Sequence, residues 1–160
     1  MEVNYMTRKT WNHLDQKLQK LKEMIRPGGT ISKEIGHAAS YGDLSENAEW
    51  EMAIAKKEML NLEAANLQNR LANAVIIDTL NISTDRVMLG TKVTLYDLDT
   101  DKEVVYQILG GEDAEFYENV ISVKSPIAQG LMGKRVGDEV KIKVPDGVKT
   151  YEIVKIERFS

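Results

Sequence analysis

Four carboxylates crowd into nine residues in the first half of this chain. They are Asp43, Glu46, Glu49 and Glu51, and no Lys or Arg lies among them. Proteins usually hold Mg²⁺ with one or two carboxylates together with waters and substrate phosphates. Asp43 and Glu46 are therefore a candidate pair for a divalent cation. Because two carboxylates alone would bind Mg²⁺ weakly, a second partner that already holds a metal ion and a phosphodiester must complete such a site.

The same acids have a simpler explanation in the ends of helices. Asp43 falls in a connection and Glu46 in the first turn of the following helix, where acids cap the helix and compensate its dipole. Capping accounts well for one acid. It does not account for four acids without a counter-charge. On composition alone both interpretations stay open.

Helical hydrophobic spacing on both sides of the acids predicts the elements that position them. The first segment runs from about Thr10 to Ile25, with Thr10 as its N-cap and apolar residues at alternating intervals of three and four. Pro27-Gly28-Gly29 interrupts the pattern, because proline and glycine favour turns. Helical spacing then resumes at Ile31.

A second long helix is predicted from near Ser45 to Ala74. Its apolar seam is expected to begin with Ala48, Met52, Ala55, Met59 and Leu62. After a shift in register of one or two residues it is expected to continue with Ala64, Leu67, Leu71 and Ala74. Thirty residues span roughly 45 Å, which is too long for a compact domain of this size. The two long helices are therefore predicted to form an antiparallel coiled-coil hairpin that carries the acids at its tip.

The pattern changes after Asp78 to the alternation that is typical of strands. Apolar residues alternate at Val93–Leu95, Val104–Ile108 and Val140–Val144, and turn residues separate these runs. A short helix is predicted after Ser125-Pro126, with proline in its first position. The sequence thus predicts an α+β protein with a helical hairpin domain at residues 1–80 and a small α+β domain at residues 81–160.

Composition excludes several classes of protein. The net charge is −4 and the pI is about 5.3, which argues against a protein that coats nucleic acid through phosphate contacts. The chain has no cysteine, so disulfides and thiolate chemistry are excluded. We see no signal peptide and no apolar run of membrane-spanning length, and therefore expect a cytoplasmic protein without membrane contact.

Two motifs resemble those of the bacterial Gre transcript-cleavage factors, GreA and GreB. The first is the tip sequence Gly42-Asp43-Leu44-Ser45-Glu46-Asn47-Ala48-Glu49. The second lies about 80 residues later, Ser122-Val123-Lys124-Ser125-Pro126-Ile127-Ala128-Gln129-Gly130-Leu131-Met132-Gly133-Lys134. The two motifs are unrelated and occur in the order found in that family. The resemblance extends from about Met6 to Phe159.

The resemblance implies a coiled coil followed by a domain of FKBP-like fold. In such factors the second domain docks on the rim of the RNA polymerase secondary channel, and the coiled coil enters the channel. Residues matching Asp43 and Glu46 then help to hold a second Mg²⁺ and a water, and the polymerase hydrolyses the 3′ end of backtracked nascent RNA. The factor assists another enzyme's hydrolysis and is not itself an enzyme.

The resemblance also assigns expected roles to individual residues. Support of the tip is expected from Tyr41, Gly42, Asn47 and Glu49. Docking on the polymerase is expected at Ser125, Pro126 and Gly130. Contact with RNA is expected from Lys33, Lys56 and Lys57, although a solvated helix face explains the two adjacent lysines as well. DNA binding within the transcription complex and a monomeric state are also expected.

The chain departs from the family pattern before the tip. About two additional residues, including Gly28-Gly29, lie between Pro27 and Asp43. The usual basic residue before the tip is absent, and the residues there are Ala38, Ala39 and Ser40. A thin basic patch and an acidic pI favour the GreA-like type over the GreB-like type.

Two alternatives to a cleavage factor remain. The first is a channel-binding inhibitor of transcription with the same fold, against which the intact Asp43 and Glu46 argue. The second is a coiled-coil chaperone or prolyl isomerase, suggested by the β domain. An isomerase pocket needs an aromatic lining, yet the second half has no Trp and only Phe116 and Phe159 as Phe.

Overall fold

A computed structural model of the chain describes residues 3–39 and 44–160. Within these ranges the side chains of residues 38, 39 and 44–46 lie outside the description. Residues 12–73 form one compact unit, and residues 3–11 together with 74–160 form the other. The domain limits 1–80 and 81–160 stay a prediction, because contacts within one conformation do not test which segments fold independently.

Three helices build the helical unit. They are α1 (Arg8–Ile25), α2 (Thr30–Ala39) and α3 (Leu44–Ala72). The first of them, α1, begins a few residues before the unit does. Lys17 pairs with Glu63 at 3.3 Å, and Glu34, further along the chain, pairs with Lys56 at 3.3 Å. Residues later in the α1–α2 side of the hairpin thus pair with residues earlier in α3. The two sides of the hairpin therefore run antiparallel. The predicted helical hairpin is confirmed.

Four residues separate α1 from α2, and the last two of them are glycines. Gly28 has a φ of +79°, which few residues other than glycine adopt. A Cβ atom on Gly29 would lie 2.4 Å from the carbonyl oxygen of Glu23. The interruption predicted at Pro27-Gly28-Gly29 is therefore confirmed, and the chain can bend there only because both positions lack a side chain.

The packed face of α3 differs from the predicted seam. Met52 and Met59 are each 72% exposed and Leu62 is 64% exposed, so the first part of the predicted seam is wrong. Its continuation is confirmed at Ala64, Leu67 and Leu71, which are half-buried or buried. Apart from Ile54, the buried and half-buried residues of α3 follow one register with alternating intervals of four and three residues: Ala53, Lys57, Leu60, Ala64, Leu67 and Leu71. A charged residue in that register hid it from the sequence analysis. Lysine can bury its aliphatic stem and keep its ammonium group in water.

The start of α1 also corrects a prediction. The helix begins at Arg8, so Thr7 and not Thr10 is its N-cap. The carbonyl oxygen of Thr7 accepts from the Trp11 amide at 3.0 Å, and its Oγ1 accepts from the Thr10 amide at 3.3 Å. Both threonines are buried, and the hydroxyl of Thr10 turns to a different partner, the carboxylate of Asp113.

The second unit contains two sheets. Strands β1 (Asn4–Met6) and β2 (Ala74–Ile76) pair in parallel. A five-stranded sheet has the order β5-β4-β3-β7-β6. Its strands are β3 (Thr91–Asp97), β4 (Lys102–Leu109), β5 (Val120–Ser122), β6 (Glu139–Val144) and β7 (Gly147–Arg158). Neighbours are antiparallel except for β4 and β5.

One face of this sheet packs under a short helix, α4 (Pro126–Leu131). The core is formed by alternate residues of the strands and by the buried side of the helix: Val93, Leu95, Ile108, Ala128, Leu131, Ile142 and Ile153. The predicted strands and the helix after Ser125-Pro126 are confirmed, as is the mixed α+β class. Among the described residues, no helix has the length and apolar character that crossing a membrane requires.

A buried carboxylate ties the N-terminal segment to the sheet unit. Asp113 is fully buried. Its Oδ1 accepts from the Thr7 amide at 3.0 Å and from the Thr7 hydroxyl at 2.9 Å, and also from the Thr10 hydroxyl. Its Oδ2 accepts from the Gly110 amide at 2.9 Å. Four donors thus converge on one side chain, and this explains why residues 3–11 belong with residues 74–160.

Alkaline pH is expected to destabilise the sheet unit through Tyr151. This residue is 2% exposed. Burial, with smaller contributions from Tyr106 and Asp97, raises the pKa of its hydroxyl to about 12. Because the unfolded tyrosine titrates near pH 10, the stability is fully present below about pH 10. It falls as the pH rises from there through about 12.

Urea unfolding at pH 9, 10 and 11 would measure this effect. Tyr151→Phe should show a shallower loss of unfolding free energy over the same range, while Tyr5→Phe, at an exposed site, should follow the unmodified chain. Equal slopes for all three proteins would contradict the assignment.

Candidate functional site at the hairpin tip

The acidic motif lies where α3 begins. The helix starts at Leu44, so Glu46 is in its first turn, as predicted. Asp43 directly precedes the helix in the sequence. Asp43, Tyr41 and Gly42 lie outside the described residues, and so does the side chain of Glu46. Their roles in metal binding and in support of the tip stay predictions.

The next two acids of α3 are exposed, and the ion pairs between described residues do not include them. Glu49 and Glu51 are exposed, as is Asn47. Among the ion pairs between described residues, none involves Glu49 or Glu51. Further from the tip the acids Glu34 and Glu63 do pair with lysines. Glu49 and Glu51 therefore place exposed negative charge beside the tip motif.

The donor set suits an incomplete cation site. In the part of the chain that the structure describes, no three His, Cys, Asp or Glu residues come together in a way that could hold a metal ion. The candidate pair, Asp43 and Glu46, is three residues apart in the sequence. Two carboxylates fit Mg²⁺ only when a partner and waters supply the other oxygens of its octahedral shell.

The three lysines expected near RNA have different environments. Lys33 is exposed on α2. Lys56 is engaged with Glu34, at 3.3 and 3.4 Å to the two carboxylate oxygens. Lys57 is half-buried in the packed seam of α3. An RNA phosphate would have to exchange with Glu34 to bind Lys56. Contact with RNA stays a prediction for all three lysines.

The expected docking residues have local structural roles. The Ser125 hydroxyl caps α4 by accepting from the Ala128 amide at 3.3 Å. A Cβ atom on Gly130 would lie 2.9 Å from Cγ1 of Ile142, so glycine lets α4 pack closely on β6. Pro126 is exposed in the first turn of α4. Docking itself stays a prediction for these residues.

The sequence analysis missed two features that only a folded chain brings together. One is Asp113, whose partners Thr7 and Thr10 lie more than 100 residues away. The other is the exposed apolar side of α3, which was assigned to the packed seam. The sequence does contain a signal for this exposed side. It has two series of apolar residues at helical intervals in α3, in registers offset from each other.

A helical hairpin followed by a small α+β domain is the architecture that the resemblance of the two motifs implied, and the structure has both. Comparison with known proteins assigns the chain to a family. Residues 4–76 match the family described as "Transcription elongation factor, N-terminal", and residues 82–158 match "Transcription elongation factor, GreA/GreB, C-term". The chain belongs to the GreA/GreB family of transcription elongation factors.

Individual relatives cover nearly the whole chain. The transcription elongation factor GreA of Orientia tsutsugamushi (strain Boryong) is 41% identical over 152 residues, which are 95% of this chain and 94% of that protein. GreA of Chloroherpeton thalassium is 41% identical over 156 residues, 98% of each chain. The crystal structure of GreA factor homolog 1 (Gfh1) of Thermus thermophilus aligns over 98% of this chain and 99% of its own, at 24% identity and a TM-score of 0.42. The family assignment depends on the sequence matches.

Proposed function

We propose that this chain is a transcription elongation factor that stimulates cleavage of backtracked nascent RNA by RNA polymerase. In this function it is an accessory to the polymerase and not itself an enzyme. One observation carries the proposal. The acidic motif opens α3, in a chain whose two halves both match elongation factors. The exposed Glu49 and Glu51 beside the motif are consistent with a tip that attracts a cation.

In this proposal the hairpin enters the secondary channel of a bacterial polymerase and brings Asp43 and Glu46 to its catalytic centre. There Asp43 and Glu46 would hold Mg²⁺ jointly with the polymerase and would orient a water molecule towards the phosphodiester. The ion would supply stabilisation of the negative charge that develops on the phosphate. Water adds to phosphorus as the 3′ oxygen leaves, and the shortened RNA ends in a hydroxyl from which elongation resumes.

The other parts of the chain have supporting roles in the same proposal. The loop at Ser125 and Pro126 contacts the rim of the channel, and the neighbouring glycine, Gly130, keeps α4 seated behind it. The RNA 3′ segment is contacted by Lys33, Lys56 and Lys57. Lys56 must first release Glu34 to make this contact. The factor acts as a monomer in the cytoplasm, and meets DNA only within the transcription complex.

The direct test is cleavage of nascent RNA in a stalled, backtracked elongation complex of a bacterial polymerase. We expect the chain to accelerate release of short 3′ fragments in the presence of Mg²⁺, and to have no effect when the polymerase is omitted. Absence of stimulation, together with competition against a GreA protein, would instead identify a channel-binding inhibitor. Absence of both effects would contradict the proposal, and a prolyl isomerase assay would then test the remaining alternative.

A further inference from the structure

A cleft in the second unit lies on the face of the five-stranded sheet that is turned away from α4. It has a volume of about 290 Å³, close to the lower limit of small-molecule pockets. Its walls come from the first turn of α1, from β3 and β4, and from residues 116–119. All of these residues belong to the second unit and none to the helical unit. The cleft is therefore separate from the function proposed for the hairpin tip.

Lys92 lines this cleft with an unpaired charge. It is half-buried on β3, next to Val93, which points into the core on the other face of the sheet. Within the described ranges, no hydrogen bond or ion pair involves the ammonium group of Lys92. Removing an ammonium group from water costs free energy unless a counter-charge or an acceptor compensates it. Lys92 therefore has an unmet requirement for an anion.

The neighbours of Lys92 in the sheet are engaged elsewhere. Its partner on β7 is Glu157, an acid that could neutralise it. Glu157 pairs instead with Lys155, at 3.5 Å. Its partner on β4 is Gln107, whose Nε2 donates to a backbone carbonyl at 3.1 Å and whose Oε1 accepts from a backbone amide at 2.9 Å. The sheet thus leaves the ammonium group of Lys92 available to a ligand.

A second ammonium group is held at the same cleft. Lys9 lies in the first turn of α1, where the helix dipole disfavours a positive charge. Its Nζ donates to the Phe116 carbonyl oxygen at 3.3 Å and lies 5.1 Å from the ring centroid of Tyr117. An ammonium group has three N–H donors, so these contacts position Lys9 without using all of its donors. Neither contact neutralises its charge.

We propose that the cleft binds the phosphate group of a small molecule through Lys9 and Lys92. Lysine binds phosphate as a point charge, whereas planar carboxylates are best matched by the fork of arginine. Among the described residues that line the cleft there is no arginine, and two lysines face a single acidic side chain, Glu118. The cleft is larger than a phosphate ion, so the rest of a small ligand has room beside the aromatic side chains of Phe116 and Tyr117.

Titration of the full chain with adenosine 5′-monophosphate, followed by NMR of the backbone amides at constant ionic strength and without polymerase, tests this inference. We expect saturable shifts at Lys92, Asn119 and their neighbours, with a Kd below about 1 mM. Adenosine, which lacks the phosphate, should not cause them. Inorganic phosphate should bind at the same residues. Weaker binding than that of the nucleotide identifies a phosphorylated small molecule as the ligand, and equal binding identifies the free ion.

Three variants locate the binding. Lys92→Gln removes a charged donor and should raise the Kd at least about tenfold, while Lys92→Arg keeps the charge and should retain most of the affinity. Lys141→Gln removes the same charge from an exposed position on β6 outside the cleft and should bind as the unmodified chain does. Without ligand, Lys92→Gln should keep its thermal midpoint, because its ammonium group loses no partner. If Lys92→Gln does not fold, Lys9→Gln is measured in its place, and a rise in Kd is again expected.

Three outcomes would overturn the inference. The first is the absence of saturable shifts with both phosphate compounds. The second is equal binding of adenosine and its monophosphate, because the phosphate would then contribute nothing. The third is an equal loss in Lys92→Gln and Lys141→Gln, because overall charge and not the cleft would then attract the anion. None of these results bears on the proposed function, since cleavage of RNA is measured separately and with polymerase.

Discussion

Asp43→Ala and Glu46→Ala should each lower the maximal rate of stimulated RNA cleavage by on the order of 100-fold, because loss of a group that only supports a metal ligand already costs about 10- to 100-fold. The physical reason is that each substitution removes one of the two carboxylates proposed to share Mg²⁺ with the polymerase. A cation site with a single carboxylate has fewer ligands and less negative charge. Cleavage assays at saturating concentrations of each variant would measure the loss.

Folding should be unaffected by either tip substitution. Among the described residues of the helical unit, the buried side chains are apolar ones such as Leu18, Ile31 and Leu67, and we expect a charged tip to add little to that packing. Equal thermal midpoints would verify this. Binding to polymerase should also persist, because the loss is expected in the chemical step.

Glu51→Ala is the matched control for the tip. It removes the same charge five residues beyond Glu46, from an exposed position on α3, and should retain most of the stimulation. If Glu51→Ala lowers cleavage as much as Asp43→Ala does, general negative charge is responsible and the assignment of a metal-binding pair fails. If both tip variants keep full activity, the acids only cap the helix.

Asp113→Ala should lower the free energy of unfolding of the sheet unit by about 3 to 5 kcal/mol, because buried groups would lose their partner. The substitution leaves both donors of Thr7, the Thr10 hydroxyl and the Gly110 amide without their common acceptor. Three of these donors belong to the N-terminal segment, so its attachment should weaken first. Urea unfolding and hydrogen exchange of residues 3–11 would measure both effects.

Two variants test the explanation. Glu115→Ala removes an exposed acid two residues away, and its effect should be within about 0.5 kcal/mol. Asp113→Asn keeps one oxygen acceptor and should lie between the other two. If Asp113→Ala is as stable as the unmodified chain, water must replace the carboxylate without cost, and the hydrogen bonds are not what attaches residues 3–11.

Local patterns predicted most of the elements, because short-range physics decides them. The turn at Pro27-Gly28-Gly29 follows from backbone sterics, and it appears where predicted. Alternation placed β3, β4 and β6 correctly, because strands with one buried face alternate in polarity. The helix after Ser125 follows from a cap and a proline in the first turn.

Predictions failed where two solutions were locally equivalent. Helix α3 has two apolar seams with the same alternation of intervals, and the sequence alone does not say which of them meets α1 and α2. The packed seam includes Lys57, which looked unsuitable for burial. A flexible lysine accepts such a position if its ammonium group reaches water. The packing of the complete hairpin decides which of the two seams is buried, and it leaves Met52 and Met59 exposed.

The chain by itself thus determined its helices and strands, its acidic motif and its family, because these depend on neighbouring residues or on motifs in a fixed order. The tertiary structure decided which face of α3 is buried and that Thr7 and Thr10 meet Asp113. Both outcomes depend on contacts between residues far apart in the chain. Their free energies come from packing and from hydrogen bonds that exist only once the separate elements have come together.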